Sequence, residues 1–321
     1  MTRVGVRATP WARAQINTSM TQEITEFGPR LFANVGLIQG FQLNEQWSFD
    51  IGVDQSNTLT DANARQFDPD RELVSGSFND DFVAVYAGAL YTAELWSANT
   101  RIEHRNSDTE ERNSMLFGWY REPTAGHGLS AGLTIFRSES IFGGDMTSAN
   151  LKLGWAYRLA NSKWSFLDRL DLVFDDLETG TTRERSWRLV NNFNANRRLG
   201  AATQMSLQYA FKYVRSEFGT NSFNGYTDLI GFDMRRGLRG RWDVGVNTSI
   251  YHSYQSKVID YGAGLDLGFN LATNMWLTLG YNFIGFHDED FSQARYTAQG
   301  PYLRFSIKAD QQTLKDIAGQ R

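Results

Sequence analysis

The feature that most constrains this chain is strict alternation of apolar and polar residues over segments longer than an ordinary strand. Across residues 259–271 the odd positions are Ile259, Tyr261, Ala263, Leu265, Leu267, Phe269 and Leu271, and the even ones are Asp260, Gly262, Gly264, Asp266, Gly268 and Asn270. Successive side chains of a strand point to opposite sides, so this segment has one apolar and one wet face. Met205, Leu207, Tyr209, Phe211 and Tyr213 alternate in the same way with Gln204, Ser206, Gln208, Ala210 and Lys212. Trp47, Phe49, Ile51 and Val53 oppose Ser48, Asp50, Gly52 and Asp54, and residues 148–158 and 241–250 repeat the pattern. A few segments are ambiguous, such as 82–91, where Val83, Val85, Ala87 and Ala89 compete with Phe82, Ala84, Tyr86 and Leu90.

A soluble strand runs about 5–6 residues, whereas a tilted strand crossing a bilayer needs about 9–11, the figure most of these segments reach. The small or polar face suits an aqueous lumen, and the apolar face, with aromatics at its ends, suits lipid and its two interfaces. Hydrocarbon leaves no solvent for an unpaired backbone, so such a sheet has to close. The expected fold is therefore all-β: a transmembrane antiparallel up-and-down β-barrel of about sixteen strands, with eighteen as the alternative. A soluble β-helix, propeller or sandwich also alternates, but strand length and face polarity argue against it.

Composition fits. Hydrophobic residues at 41% exclude a disordered chain, and 21% charged residues exclude a helical membrane protein. The uncharged stretch 82–93 is too short for a transmembrane helix. There is no cysteine, hence no disulfide framework or thiolate metal site, and a net charge of -4 gives no basic footprint for nucleic acid. No linker divides the chain, which reads as a barrel over 12–309, an N-terminal segment or remnant strand at 1–11 and a tail at 310–321. No secretory signal precedes the pattern, so the expectation is a mature form or a domain of a longer precursor.

A Trp follows a short polar turn five times, at Trp47, Trp96, Trp164, Trp242 and Trp276. An interfacial belt at one rim explains the recurrence, although by parity Trp276 sits on the polar face. Longer connections are expected at the other rim, at 57–80, 106–112, 138–146, 178–183, 218–224 and 286–294. Outer-membrane barrels put short turns in the periplasm and long loops outside.

Several runs carry a resemblance: Phe32-Ala33-Asn34-Val35-Gly36-Leu37, Leu167 through Asp175, Leu189 through Asn196, Tyr226 through Gly231, and Leu279 through Phe286 with Asp290-Phe291-Ser292 and Tyr296 through Tyr302. The chain resembles the C-terminal barrel domain of very large bacterial outer-membrane proteins whose upstream regions carry Ig-like repeats. That likeness implies a cell outer-membrane location and a fused upstream repeat region, and it supplies no catalytic residues. Gly300, Leu303 and Phe305 also look like the assembly signal read by the barrel insertion machinery, though the tail at 310–321 departs from the usual aromatic end.

Chemistry is sparse. His252 lies on the apolar face and Ser253 on the other, and no G-x-S-x-G elbow is present, so the Ser–His pair of a barrel hydrolase is not expected. Asp288, Glu289 and Asp290 beside His287, with Asp68, Asp70, Asp80 and Asp81, are weak candidates for a divalent cation and read first as a solvated loop. No cofactor or metal is expected. The polar face gathers Arg101, Glu103, Arg105, Lys152, Arg158, Arg169, Asp171, Arg188, Lys212, Asp233, Arg235, Arg241, Asp243, Asp260, Asp266, Arg304 and Lys308. Such charges either form cross-strand pairs that stiffen the wall or line a pore. The expected function is a non-enzymatic outer-membrane barrel, in contact with lipid, that anchors or translocates a larger surface protein; a general diffusion or transport pore is the alternative, and an outer-membrane hydrolase a third reading.

Overall fold

The computed structural model describes residues 2–25, 28–60, 81–141, 143–158, 160–272, 275–285 and 299–307. It has seventeen strands: β1 (Thr2–Ala8), β2 (Ala14–Thr25), β3 (Gly28–Gln42), β4 (Trp47–Thr60), β5 (Phe82–Thr92), β6 (Trp96–Ser107), β7 (Glu110–Thr124), β8 (His127–Ser140), β9 (Gly144–Tyr157), β10 (Trp164–Thr179), β11 (Thr182–Arg198), β12 (Thr203–Phe218), β13 (Asn221–Gly237), β14 (Trp242–Ser253), β15 (Val258–Ala272), β16 (Met275–Ile284) and β17 (Gly300–Ile307). Each pairs antiparallel with the next, from β1–β2 to β16–β17. This is the up-and-down wall of a transmembrane β-barrel. The sixteen strands from β2 onward correspond to those counted in the sequence, and β1 is an additional strand in the segment before residue 12. Among the described residues no pairing joins β17 to β1 or β2, so β1 and β17 each have a single partner.

Cross-strand registers show that the wet and apolar faces are continuous around the wall. Asp50 of β4 stands opposite Gly88 of β5, which stands opposite Arg101 of β6; farther round, Lys152 of β9 faces Asp171 of β10, which faces Val190 of β11. The side opposite carries the large exposed apolar residues, such as Ile51, Val53, Leu153, Leu265 and Leu267. Among the described residues the buried polar side chains, Ser19, Thr21, Ser56, Asp171, Asn192, Asn194, Thr227, Asp266, Thr278 and Asn282, belong to the first side, so the wet face is the sheltered inner one. In β5 the ambiguity resolves plainly: Ala84 and Tyr86 are buried inside while Val83 and Val85 are exposed outside.

One set of connections is short, for example 43–46, 93–95, 125–126 and 199–202. At the opposite rim four of the expected long loops are absent. Only 108–109, 141–143, 180–181 and 219–220 separate the strands there, because β6 to β13 keep their pairing almost to the hairpin tips, as with Thr179 opposite Thr182. Outward charges concentrate near those tips: Asp176 with Arg183 and Arg185, Arg137 with Glu139, and Arg215 with Glu217. Ionised side chains there mark where the strands have left hydrocarbon, since charge on the lipid face at midplane is costly. The two connections that are long in sequence, 61–81 and 285–299, also belong to this rim.

Candidate functional site: the inner wall

The chemistry of this chain sits on the inner face, and glycine decides its relief. Among the described residues ten inner glycines lie beneath a neighbouring side chain. A Cβ on Gly52 would meet Tyr86 Cζ at 2.2 Å, one on Gly280 would meet Tyr302 Cζ at 2.2 Å, and one on Gly245 would meet Asp266 Oδ1 at 2.7 Å. Gly36, Gly88, Gly118, Gly154, Gly231, Gly264 and Gly268 receive Asp54, Asp50, Asn99, Ser130, Gln208, Asn282 and Asp243 in the same way. Each polar side chain therefore lies along the wall rather than across the lumen. Replacing Gly52 by Val should force Tyr86 off its seat at a cost of about 1–3 kcal/mol, measurable by urea unfolding in detergent, whereas the same change at Gly200, which has open space around it, should be nearly silent.

The densest group spans β13 to β17. Arg235 donates to Asp243 and to Asp266, and the Tyr302 hydroxyl donates to the second oxygen of Asp266 at 3.4 Å. The Asp266 side chain is only 3% exposed and that of Arg235 23%, so this pair is screened far less than a surface ion pair. The Arg304 guanidinium lies 5.4 Å from the Tyr302 ring centroid. A second group lies on β4 to β6. Arg101 sits 3.6 Å above the Tyr86 ring and donates to Glu103 at 3.0 Å, while Arg105 covers Phe82 at 3.7 Å. The third spans β9 and β10, where Arg169 Nε donates to Asp171 at 2.9 Å and the Ser148 hydroxyl to Asp175 at 2.7 Å.

Arg188, Lys212, Asp233 and Asp260 share the inner face with these groups. Arg158 and Arg241 lie at the short-turn rim, where Arg158 N–H donates to the Gly126 carbonyl and Arg241 to that of Leu271. Lys308, Asp288, Glu289, Asp290 and the tail at 310–321 lie outside the described residues. Among the described residues no cluster of three potential metal ligands occurs. Sequence reasoning left out Asp50, Asp54, Arg112 and Asp175 from the lining charges, although their parity was readable, and also Arg3 and Arg7, which β1 adds. Asn150 Oδ1, Asn194 Oδ1 and Gln208 Nε2, all inner and buried, have no protein partner, and such atoms need water.

On the outer face Trp47 packs on Tyr91 at 4.9 Å and Tyr91 on Trp96 at 4.4 Å; Trp164 stacks on Phe166, and Trp242 meets Phe269 at 4.7 Å. These four Trp residues stand at the short-turn end, where aromatic rings suit the headgroup level. Trp276 stands inside, opposite Asn270 and Ser306. Toward the other rim Phe174 with Trp187, and Tyr226 with Tyr254, form a second aromatic band. In β17, Leu303 and Phe305 point outward and are exposed, and Gly300 opens the strand at a φ of 130°.

No protein-family model and no curated protein matches the chain. Among solved structures it is similar to a bacterial polysaccharide outer membrane secretin, at 9% identity and TM-score 0.37, over 92% of this chain and 98% of that one. BamA from Haemophilus ducreyi lacking POTRA domains 1–3 is similar at 10% identity and TM-score 0.42, over 96% and 75%. An anion-selective porin from Comamonas acidovorans is similar at 12% identity and TM-score 0.37, over 96% and 95%. None of the three says what this chain does.

Proposed function

We propose that this outer-membrane β-barrel is a water-filled conduit. The observation that carries the reading is the set of glycine seats: Asp50, Asp54, Tyr86, Asp266 and Tyr302 lie over them, so these side chains run along the wall and not across the lumen. Barrels of sixteen to eighteen strands are wide enough for an aqueous channel. Inward ion pairs and buried polar atoms without protein partners both favour water over an apolar filling. A cluster of apolar inner side chains, Val190, Ala210 and Leu229, covers one patch of the wall. Purified protein inserted into a planar bilayer should give unitary current steps, and a complete lack of steps from folded protein would remove the conduit.

The second reading is a membrane anchor or translocator for a fused upstream region with Ig-like repeats. The bonds of Arg235 to Asp243 and Asp266 support it, because they tie β13 to β14 and β15 and so brace neighbouring strands. No catalytic role is proposed. His252 faces outward opposite Asp228 and packs against Tyr254, while Ser253 faces inward, which supports a non-enzymatic barrel.

A further inference from the structure

β1 and β17 end the meander, and both are suited to the same neighbour. β1 lies along one edge of β2, from Thr2 opposite Gln22 to Ala8 opposite Ile16, while β3 holds the other edge. The free edge of β17 presents a row of N–H and C=O groups, which hydrocarbon tolerates only when paired. Two edges within the chain fit it: the outer edge of β1, and the edge of β2 that β1 occupies.

Three considerations separate them. Strand direction alternates in a meander, so β17 runs parallel to β1 and antiparallel to β2, and antiparallel ladders are slightly the more stable. Pairing with β2 also leaves an even number of strands, as bacterial single-chain barrels have. The inner faces differ most. β1 points Arg3 and Arg7 inward and β17 points Arg304 inward, and neither strand has an acidic residue, so a β1–β17 seam gathers like charges. β2 instead offers Gln15, Asn17, Ser19 and Thr21, all able to accept from Arg304. The outward faces of β2 and β17 match as well, with Ile16, Thr18 and Met20 beside Leu303 and Phe305. Every residue of β1 is exposed, and among the described side chains its inner ones bond β2 through Arg3 to Ser19 and Arg7 to Gln15.

We propose that β1 is a displaceable seam strand: it occupies the edge of β2 that β17 takes when the barrel closes with sixteen strands, and the two exchange on that edge. β1 then acts as a built-in competitor for closure, and its release carries Arg3 and Arg7 away from β2.

The absence of cysteine makes the exchange directly readable by disulfide capture. In the full chain inserted in membranes, Ile16→Cys, Thr18→Cys and Met20→Cys are each combined with Leu303→Cys or Phe305→Cys, and oxidised. Only protein with the heat-modifiable gel mobility of a folded barrel is scored. Val4→Cys with Met20→Cys, opposite one another in the β1–β2 ladder, reports the other state, and Val4→Cys or Val6→Cys with Leu303→Cys reports the parallel seam. The expected result is capture of at least one β2–β17 combination and, separately, of Val4–Met20, with the β2–β17 yield rising at least twofold when residues 2–8 are deleted. Failure of every β2–β17 combination overturns the proposal, whether or not the parallel seam is captured. Capture that does not respond to deletion of β1 overturns the exchange.

Discussion

Leu267→Arg should destabilise the folded barrel by about 2–4 kcal/mol, the cost of a guanidinium on the lipid side near midplane. Leu267 is central in β15, opposite Val244 and Leu279, and it is exposed only because its surroundings are lipid. The informative comparison is Gly264→Arg in the same strand on the other face. Simple alternation predicts open space around Gly264, but a Cβ there would lie 2.6 Å from Asn282 Oδ1 and 3.0 Å from the Asn247 amide. Those contacts are side-chain ends that can rotate into water, so the inner substitution should cost distinctly less than the outer one. Denaturant-dependent folding into lipid vesicles measures both. Equal costs at Leu267 and Gly264 would mean that the inner and outer faces are assigned wrongly.

Asp266→Ala should be the most damaging loss on the inner wall, at about 2–3 kcal/mol. It removes a carboxylate bonded to Arg235 and the acceptor of the Tyr302 hydroxyl, leaving the cation with one bonded carboxylate fewer in a largely covered position. The wet lumen softens the penalty relative to a dry core, which is why the figure is not larger. The same variant should shift the reversal potential in a salt gradient toward anion preference, since one inner negative charge is gone. Asp266→Asn should restore most of the stability by retaining an acceptor while keeping the altered selectivity. A stable Asp266→Ala protein with unchanged selectivity would detach this cluster from both wall strength and conduction.

The two faces of β15 could be read from its residues because its middle section has lipid on one side and water on the other. That signal fades where both sides are wet. At Glu110, Glu111 and Arg112, and again at Arg183, Glu184 and Arg185, both faces carry charge, so strand looks like loop although pairing continues to the hairpin tips. In β5 it fades for the opposite reason, since both faces carry apolar residues, and only the register that seats Tyr86 over Gly52 separates them. Parity placed Arg235, Asp243 and Asp266 on one face. Their mutual bonding depends on the stagger of β13, β14 and β15, which no local spacing encodes. The role of the glycines was hidden too, because a missing side chain shows its purpose only when the neighbour that fills the gap is known.

That seating has an evolutionary corollary. Gly52 with Tyr86, Gly280 with Tyr302, and Gly245 with Asp266 each divide one volume between two strands. A larger residue at the glycine is tolerable only if its lid shrinks, so the two positions should drift together among descendants of this gene. Inner-wall diversity would then arise by paired replacement, with an exchange of large and small across a strand boundary redrawing the bore while the ladder beneath stays the same.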